Sequence, residues 1–318
     1  MEYIVPKIKI DVKDLSIKDL INFDNSAYLI NLGFQTYYSN NVMKLYDKKY
    51  PVHIRSQFKG KNKRYKITQP YNYTIQENSE IITDQKIKTI ENAFNDKYKF
   101  SSNKQDFYKL WEVITKYNVL GKTNKCTDEY SKKIVELNKK SLSDNKYDCL
   151  IINNRIKLNV NQEKYYNKNI IDNIKLIDKL NKSGNMILKL YTTFTQYSVD
   201  LIALLSQLFN KTYIYIPHTV ETYRNEKYLV CLNYSPNDKI NKFINELNGS
   251  YISLNINLPE DYVKFIFDMN RAEIVKQTEA INQMEEYIKN NNYFGSEYEE
   301  HYKNAVKKSA EWIKEFIK

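Results

Sequence analysis

The run GNMILKLYTTFTQYSVDLIALLSQLFNKTYIYIPHTVETYRNEKYLVC, Gly184 to Cys231, constrains the fold more than any other part of the chain. It predicts an apolar strand (NMILKLY), a long helix (QYSVDLIALLSQLFN), a strand (TYIYIP), an irregular loop and a last strand (EKYLVCLNY). Just upstream, YDCLIINN, Tyr147 to Asn154, is a strand bounded by turn formers, and KNIIDNIKLIDKLNKSG predicts a helix ending at Gly184. Strand, helix, strand, helix, strand, strand is the order of a parallel sheet with helical crossovers and a final antiparallel hairpin, so the class is α/β. Two charges break the apolar pattern: Lys189 near the end of its strand, and Glu226 at the opening of the last.

The flanking segments are less regular. Residues 1–100 mix short pieces, helical in IKDLINF and SEIITDQKIKTIENAFNDKY and strand-like in YPVHIRSQF and RYKITQPYNYTI, and form an N-terminal α+β region. From 101 to 318 the chain is expected to form one domain. QDFYKLWEVITKYNVL places Phe107, Leu110, Trp111, Ile114 and Tyr117 at helical spacing, an amphipathic helix whose stripe belongs to the core. The polar stretch GKTNKCTDEYSKKIVELNKKSLSDNK follows, with one short helix, and helices are predicted beyond residue 258.

Composition excludes several classes. A chain of 318 residues, 42% hydrophobic, buries a full core despite a mean hydropathy of −0.66. No run of eighteen apolar residues and no cleavable signal pattern is present, which predicts a soluble cytoplasmic protein with no membrane partner. The widely spaced Cys126, Cys149 and Cys231 and the three histidines do not cluster, so neither a disulfide framework nor a metal site is expected. Cys149 and Cys231 lie in strand-like runs and read as small buried hydrophobes.

A net charge of +11 and a pI of about 9.1 point toward nucleic acid. Part of the lysine excess matches the Asn, Lys, Ile and Tyr bias of AT-rich coding sequence, so local clustering is the better guide. The densest cluster, FKGKNKRYK, carries Lys59, Lys61, Lys63, Arg64 and Lys66 between Phe58 and Tyr65. Such a run tracks phosphates while its aromatics offer stacking faces, and it equally suits a solvated loop.

The Gly184–Cys231 run resembles the C-terminal half of the FtsJ-like RNA 2′-O-ribose methyltransferases, among them the viral and eukaryotic cap enzymes. In that family a glycine-started strand carries a catalytic lysine, and a proline-containing loop leads to a glutamate opening the last strand. Lys189 and Glu226, 37 positions apart, fall on those places. The helix DFYKLWEV is similar to the family's YKLxEI helix and makes Lys109 the first lysine of a K-D-K-E tetrad. The closing AEWIKEFIK resembles large viral members, which would put the protein in host cytoplasm or a viral factory.

The resemblance implies roles. A ribose 2′-hydroxyl is a poor nucleophile, so a lysine of lowered pKa removes its proton while neighbouring charges hold that lysine. Lys189 would be that base, Glu226 and the aspartate after the preceding strand would orient it, and Lys109 would complete the set. The pattern then breaks, because DCLIINN puts Asn153 where the aspartate belongs. Asparagine hydrogen-bonds but brings no charge, and an Asp-to-Asn change at an orienting group costs on the order of a thousandfold or more in rate in the serine-protease case. The glycine loop that lets backbone amides reach S-adenosylmethionine is missing, since Gly121 is the single glycine between 121 and 147. Only 44 residues separate Lys109 from Asn153, so the first strands of this truncated Rossmann-like sheet are expected to be cut away with the cofactor pocket. In PHTVETYRNE, Val220 and Glu221 replace the family's Ser-Arg pair.

Three functions follow. The favoured one is a non-catalytic FtsJ-like subunit that binds RNA, capped mRNA among the candidates, within a larger RNA-processing or translation complex and without a cofactor. The second is an active cap 2′-O-methyltransferase whose S-adenosylmethionine site is unusual or completed by a partner. The third is a heterodimer partner without RNA affinity, which would expose an apolar face on VDLIALLSQLF and on the C-terminal helices.

Overall fold

The computed structural model describes residues 1–10, 15, 18–19, 88–102, 104–154, 170–190, 193, 196–220, 226–247, 251–254, 256–290 and 296–317. The cluster Lys59, Lys61, Lys63, Arg64 and Lys66 lies outside the described residues, as does most of the 1–100 region. In chain order the elements are β1 (Glu2–Ile4), β2 (Lys18–Asp19), α1 (88–98), α2 (Gln105–Tyr117), β3 (Thr123–Cys126), α3 (Glu129–Leu137), β4 (Ser141–Leu142) and β5 (Tyr147–Ile152). Then come α4 (170–174, continued by a 3-10 turn at Lys175–Lys179), β6 (Leu180–Leu190), α5 (Gln196–Ser206), β7 (Phe209–Tyr215), β8 (Lys227–Tyr234), α6 (Asp238–Glu246), β9 (Tyr251–Ser253), α7 (Glu260–Asn290) and α8 (Ser296–Phe316).

The chain divides into two compact units, Met1–Val42 with Tyr117–Ile216 and Asn225–Ala272, and Met43–Lys116 with Pro217–Arg224 and Glu273–Lys318. The first unit is built on a seven-stranded mixed sheet of order β1-β7-β8-β6-β5-β3-β4. Strands β4, β3, β5 and β6 run parallel, and β8 lies antiparallel between β6 and β7. This is the α/β sheet with a final antiparallel hairpin that the crossover pattern predicts, in the Rossmann-like order that the resemblance implies. The inner strands are buried on both faces, as parallel sheets require: Leu150, Ile151, Ile152, Ile187, Leu188, Leu229 and Val230 are all fully buried. Cys149 and Cys231 sit among them, and burial pushes their thiols up, so they pack as small hydrophobes.

Three expectations are corrected. The first strands of the sheet are shortened rather than cut away. TNKC forms β3, which pairs parallel with β5, and Ser141–Leu142 forms β4 at the sheet edge. These strands are short and mostly polar, and their neighbours rather than an apolar run impose the extended conformation. The helix expected to end at Gly184 instead ends in the 3-10 turn, and β6 begins at Leu180. Leu180 pairs with Tyr147 and Asn185 with Cys149, so the residues between them bulge out, with Ser183 at φ 63°. Gly184 sits in that bulge, where a Cβ would meet the backbone oxygens of Asn181 and Asp148 at 2.8 Å, so the closeness of the backbone requires the glycine. Finally, the described apolar side chains of α5 form no exposed docking face: Val199, Leu201, Ile202, Leu204 and Leu205 are all buried, as is Leu208 just after it.

The second unit is held by aromatic packing and one carboxylate. Phe94 of α1 packs against Trp111, Phe107 and Tyr108 of α2, with ring centroids 4.7, 5.4 and 5.7 Å away. Helix α2 was expected to be amphipathic, yet all eight residues from Phe107 to Ile114 are buried, Lys109 and Glu112 among them. Glu112, fully buried, accepts the His218 backbone N–H at 2.6 Å, the Thr219 N–H at 3.3 Å and hydroxyl at 3.0 Å, and the Trp312 indole N–H at 2.7 Å. Satisfying four donors is what makes burial of this carboxylate tolerable.

Candidate functional site

Sheet register brings three of the four expected tetrad positions to one face. Ile152 is level with Leu188 in the parallel β5–β6 pair, which sets Asn153 beside Lys189. Lys189 is opposite Tyr228 in the antiparallel β6–β8 pair, and Glu226 precedes Tyr228 by two, so strand alternation returns it to the same face. The ammonium of Lys189 lies 3.7 Å from a carboxylate oxygen of Glu226, with side chains 1% and 10% exposed. The lysine that interrupts the apolar strand and the glutamate that opens the last one are therefore an ion pair. Lys109 belongs to the second unit, on α2, where it is 1% exposed and its ammonium is 3.7 Å from Asp106.

A buried pair of this kind offsets two desolvation costs, and removing one partner strands a charge. The double variant Lys189→Met with Glu226→Leu is therefore expected to unfold within about 1 kcal/mol of wild type, with either single change the more harmful. Urea denaturation of the three variants checks this; a double variant worse than both singles would show that the pair is not simply a bridge.

Asn153 is fully buried. Its side-chain amide donates to Asp128 Oδ2 at 2.6 Å and its backbone N–H to Thr127 Oγ1 at 3.1 Å, while the Thr127 N–H donates to the Ile151 carbonyl at 3.1 Å. Its remaining oxygen, Oδ1, is buried with no hydrogen-bond partner. Asp128 is the N-cap of α3, and its Oδ1 accepts the Ser131 N–H at 3.0 Å. From β3 the chain runs outward to β4 and returns on the other side to β5, so Thr127, Asp128 and Asn153 stand at the point where strand order reverses, at the carboxyl ends of the strands. That crevice is where open α/β sheets hold ligands. Here three hydrogen bonds stitch it together. Asp-x-x-Ser is legible as a cap, but its bond to Asn153 has no signature in the sequence.

On the opposite face, Lys227 is fully buried, and its ammonium reaches Thr193 Oγ1 at 3.4 Å. The Thr193 hydroxyl in turn donates to Asn270, whose amide donates back to the Thr193 carbonyl at 2.9 Å. Sequence reasoning missed this group, because Lys227 reads as the polar start of a strand. Among the described residues no cluster of His, Cys, Asp and Glu could hold a metal ion, and no helix is long and apolar enough to cross a membrane.

Comparison with known proteins agrees with the topology. The family model of the FtsJ-like methyltransferases matches residues 108–234. A protein of Acanthamoeba polyphaga mimivirus is 24% identical over 226 residues, 66% of this chain and 65% of that protein. The cap-specific mRNA (nucleoside-2′-O-)-methyltransferase 1 of Dictyostelium discoideum is 24% identical over 125 residues, 36% of this chain and 16% of the enzyme. The corresponding methyltransferase 2 of Danio rerio is 33% identical over 72 residues, 23% of this chain and 10% of the enzyme. The match thus spans about two thirds of the viral relative and a small part of each cap enzyme. With β5 to β8 in the expected order and Lys189 paired to Glu226 at the strand ends, residues 108–234 of this chain match the FtsJ-like methyltransferase domain in sequence and in sheet order.

Proposed function

We propose that the chain is a non-catalytic FtsJ-like protein that binds RNA, as a subunit of a larger RNA-processing or translation complex. The observation that carries this reading is the Asn153–Asp128 hydrogen bond. It occupies the crevice between β3 and β5 in which a nucleoside cofactor would lie, and the turn after β3, Thr127-Asp128-Glu129, has no glycine to let a ligand approach the backbone. The Asp128 carboxylate takes the helix N–H that would otherwise face a ligand. These residues do not fit S-adenosylmethionine. Asn153 also brings no charge to the place where the tetrad's aspartate would stand. The net charge of +11 supports a polyanionic partner, and two of the relatives are named as cap-specific mRNA methyltransferases.

A second reading, an active cap 2′-O-methyltransferase completed by a partner protein, is favoured by one observation, the buried Lys189–Glu226 pair. Calorimetric titration of the chain with S-adenosylmethionine, with short capped and uncapped RNAs in parallel, separates the two. Expected are no cofactor binding and an RNA affinity that falls steeply with salt. Cofactor binding would overturn the proposal and revive the enzyme, and silence with all three ligands would leave an interaction partner without RNA affinity.

A further inference from the structure

The parallel strands β4, β3, β5 and β6 all start at one edge of the sheet, opposite the carboxyl ends where Asn153 and Lys189 lie. Nearly every strand start at that edge carries exposed lysine. Lys139 and Lys140 precede β4, Lys122 precedes β3, Lys146 precedes β5, and Lys179 and Lys182 flank the start of β6. Two contacts fix this juxtaposition. The Ser141 N–H donates to the Lys122 carbonyl at 3.1 Å, and the Lys179 ammonium to the Asp144 carbonyl at 3.1 Å.

The nearby acids offset the row only in part: two of them are ion-paired with other lysines, and the other two keep their charge but are fewer than the six lysines of the row. Asp144 pairs with Lys125, which holds its carboxyl below the usual range. Asp148 accepts the Asn181 amide and the Thr123 N–H, Asp178 accepts the Asn245 amide, and Glu136 pairs with Lys133 at 3.2 Å. Neighbouring strands lie ~4.8 Å apart, so four strand starts carry the row across roughly 14 Å. A line of exposed ammonium groups at that spacing suits a flexible chain of phosphates.

We propose that this amino-terminal edge of the sheet is a binding surface for the phosphate backbone of single-stranded RNA, separate from the carboxyl-end crevice. The proposal rests on the RNA-binding role argued above but assigns the contact to a different edge. It is sequence-independent, since phosphate contacts position a strand without reading its bases.

The test measures fluorescence anisotropy of a short, uncapped, labelled RNA with the full chain over a range of salt. One variant replaces Lys122, Lys139, Lys140 and Lys146 by Gln. A charge-matched control replaces Lys303, Lys307, Lys308 and Lys314, exposed on α8, by Gln. For single strands each phosphate contact contributes ~0.7 to the log–log salt slope, so the edge variant is expected to lose about 3 from the slope and about a hundredfold in affinity near 0.1 M salt. The control is expected to change by less than about fivefold. Wild-type binding that the edge variant retains would overturn this assignment alone and leave the RNA-binding role standing. Equal losses in both variants would reduce the effect to net charge and also overturn it. A wild-type chain that binds anionic vesicles but no RNA would overturn both. Thermal melting of each variant verifies the fold.

Discussion

Replacing Glu112 by Ala is expected to lower stability by about 4 kcal/mol, because it orphans four donors at once in a buried place. The His218 and Thr219 amides, the Thr219 hydroxyl and the Trp312 indole have this carboxylate as their acceptor. Each unsatisfied donor costs about 1–3 kcal/mol, and water entering the space left by the side chain recovers part of the sum. Glu112→Gln keeps one carbonyl oxygen but turns an amide donor toward the others, so about half of the loss is expected. Chemical denaturation of both variants measures the effect. A Glu112→Ala chain within 1 kcal/mol of wild type would mean that the carboxylate is not what holds this unit.

Asn153→Asp, which restores the aspartate of the family's tetrad, is expected to destabilise the chain by about 3 kcal/mol at neutral pH. In the native chain the Asn153 amide donates to Asp128 at 2.6 Å. An aspartate there has no proton to give and sets two carboxylates in contact, so one is held protonated well above its usual range. The sign follows from linkage. The folded variant binds a proton that the unfolded chain releases near pH 4, so its stability falls as pH rises from there to the raised folded value and stays low above it. Adding Asp128→Asn returns a donor to the contact and keeps a competent cap on α3, so the double variant is expected within about 1 kcal/mol of wild type. Stability measured from pH 4 to 8 for single and double variants tests this, and a flat profile for the single variant would refute it. S-adenosylmethionine binding is expected in neither variant, since restoring the charge does not open the crevice.

Much of the sheet was legible because its central strands are long apolar runs between turn formers, as YDCLIINN and NMILKLY are. The pairing of Lys189 with Glu226 was legible through the resemblance, and register explains it. What stayed hidden depends on contacts distant in sequence. Strands β3 and β4 are only four and two residues long, TNKC and SL, and are held extended by their neighbours, so no local pattern announced them. Glu112 looks like the polar side of an amphipathic helix until His218, Thr219 and Trp312 are folded around it. The lysine row exists only once the parallel strand order is known, because its members are scattered between positions 122 and 182.

The spacing of the Glu112 partners also sets a clock for synthesis. Trp312 follows Glu112 by 200 residues and His218 by 106. At about 5–20 residues per second, roughly 10–40 s pass between translation of the carboxylate and of its last donor. Throughout that interval α2 has its charged side chains made but not its full set of partners, so the second unit is completed late and offers a chaperone a long window on the nascent chain.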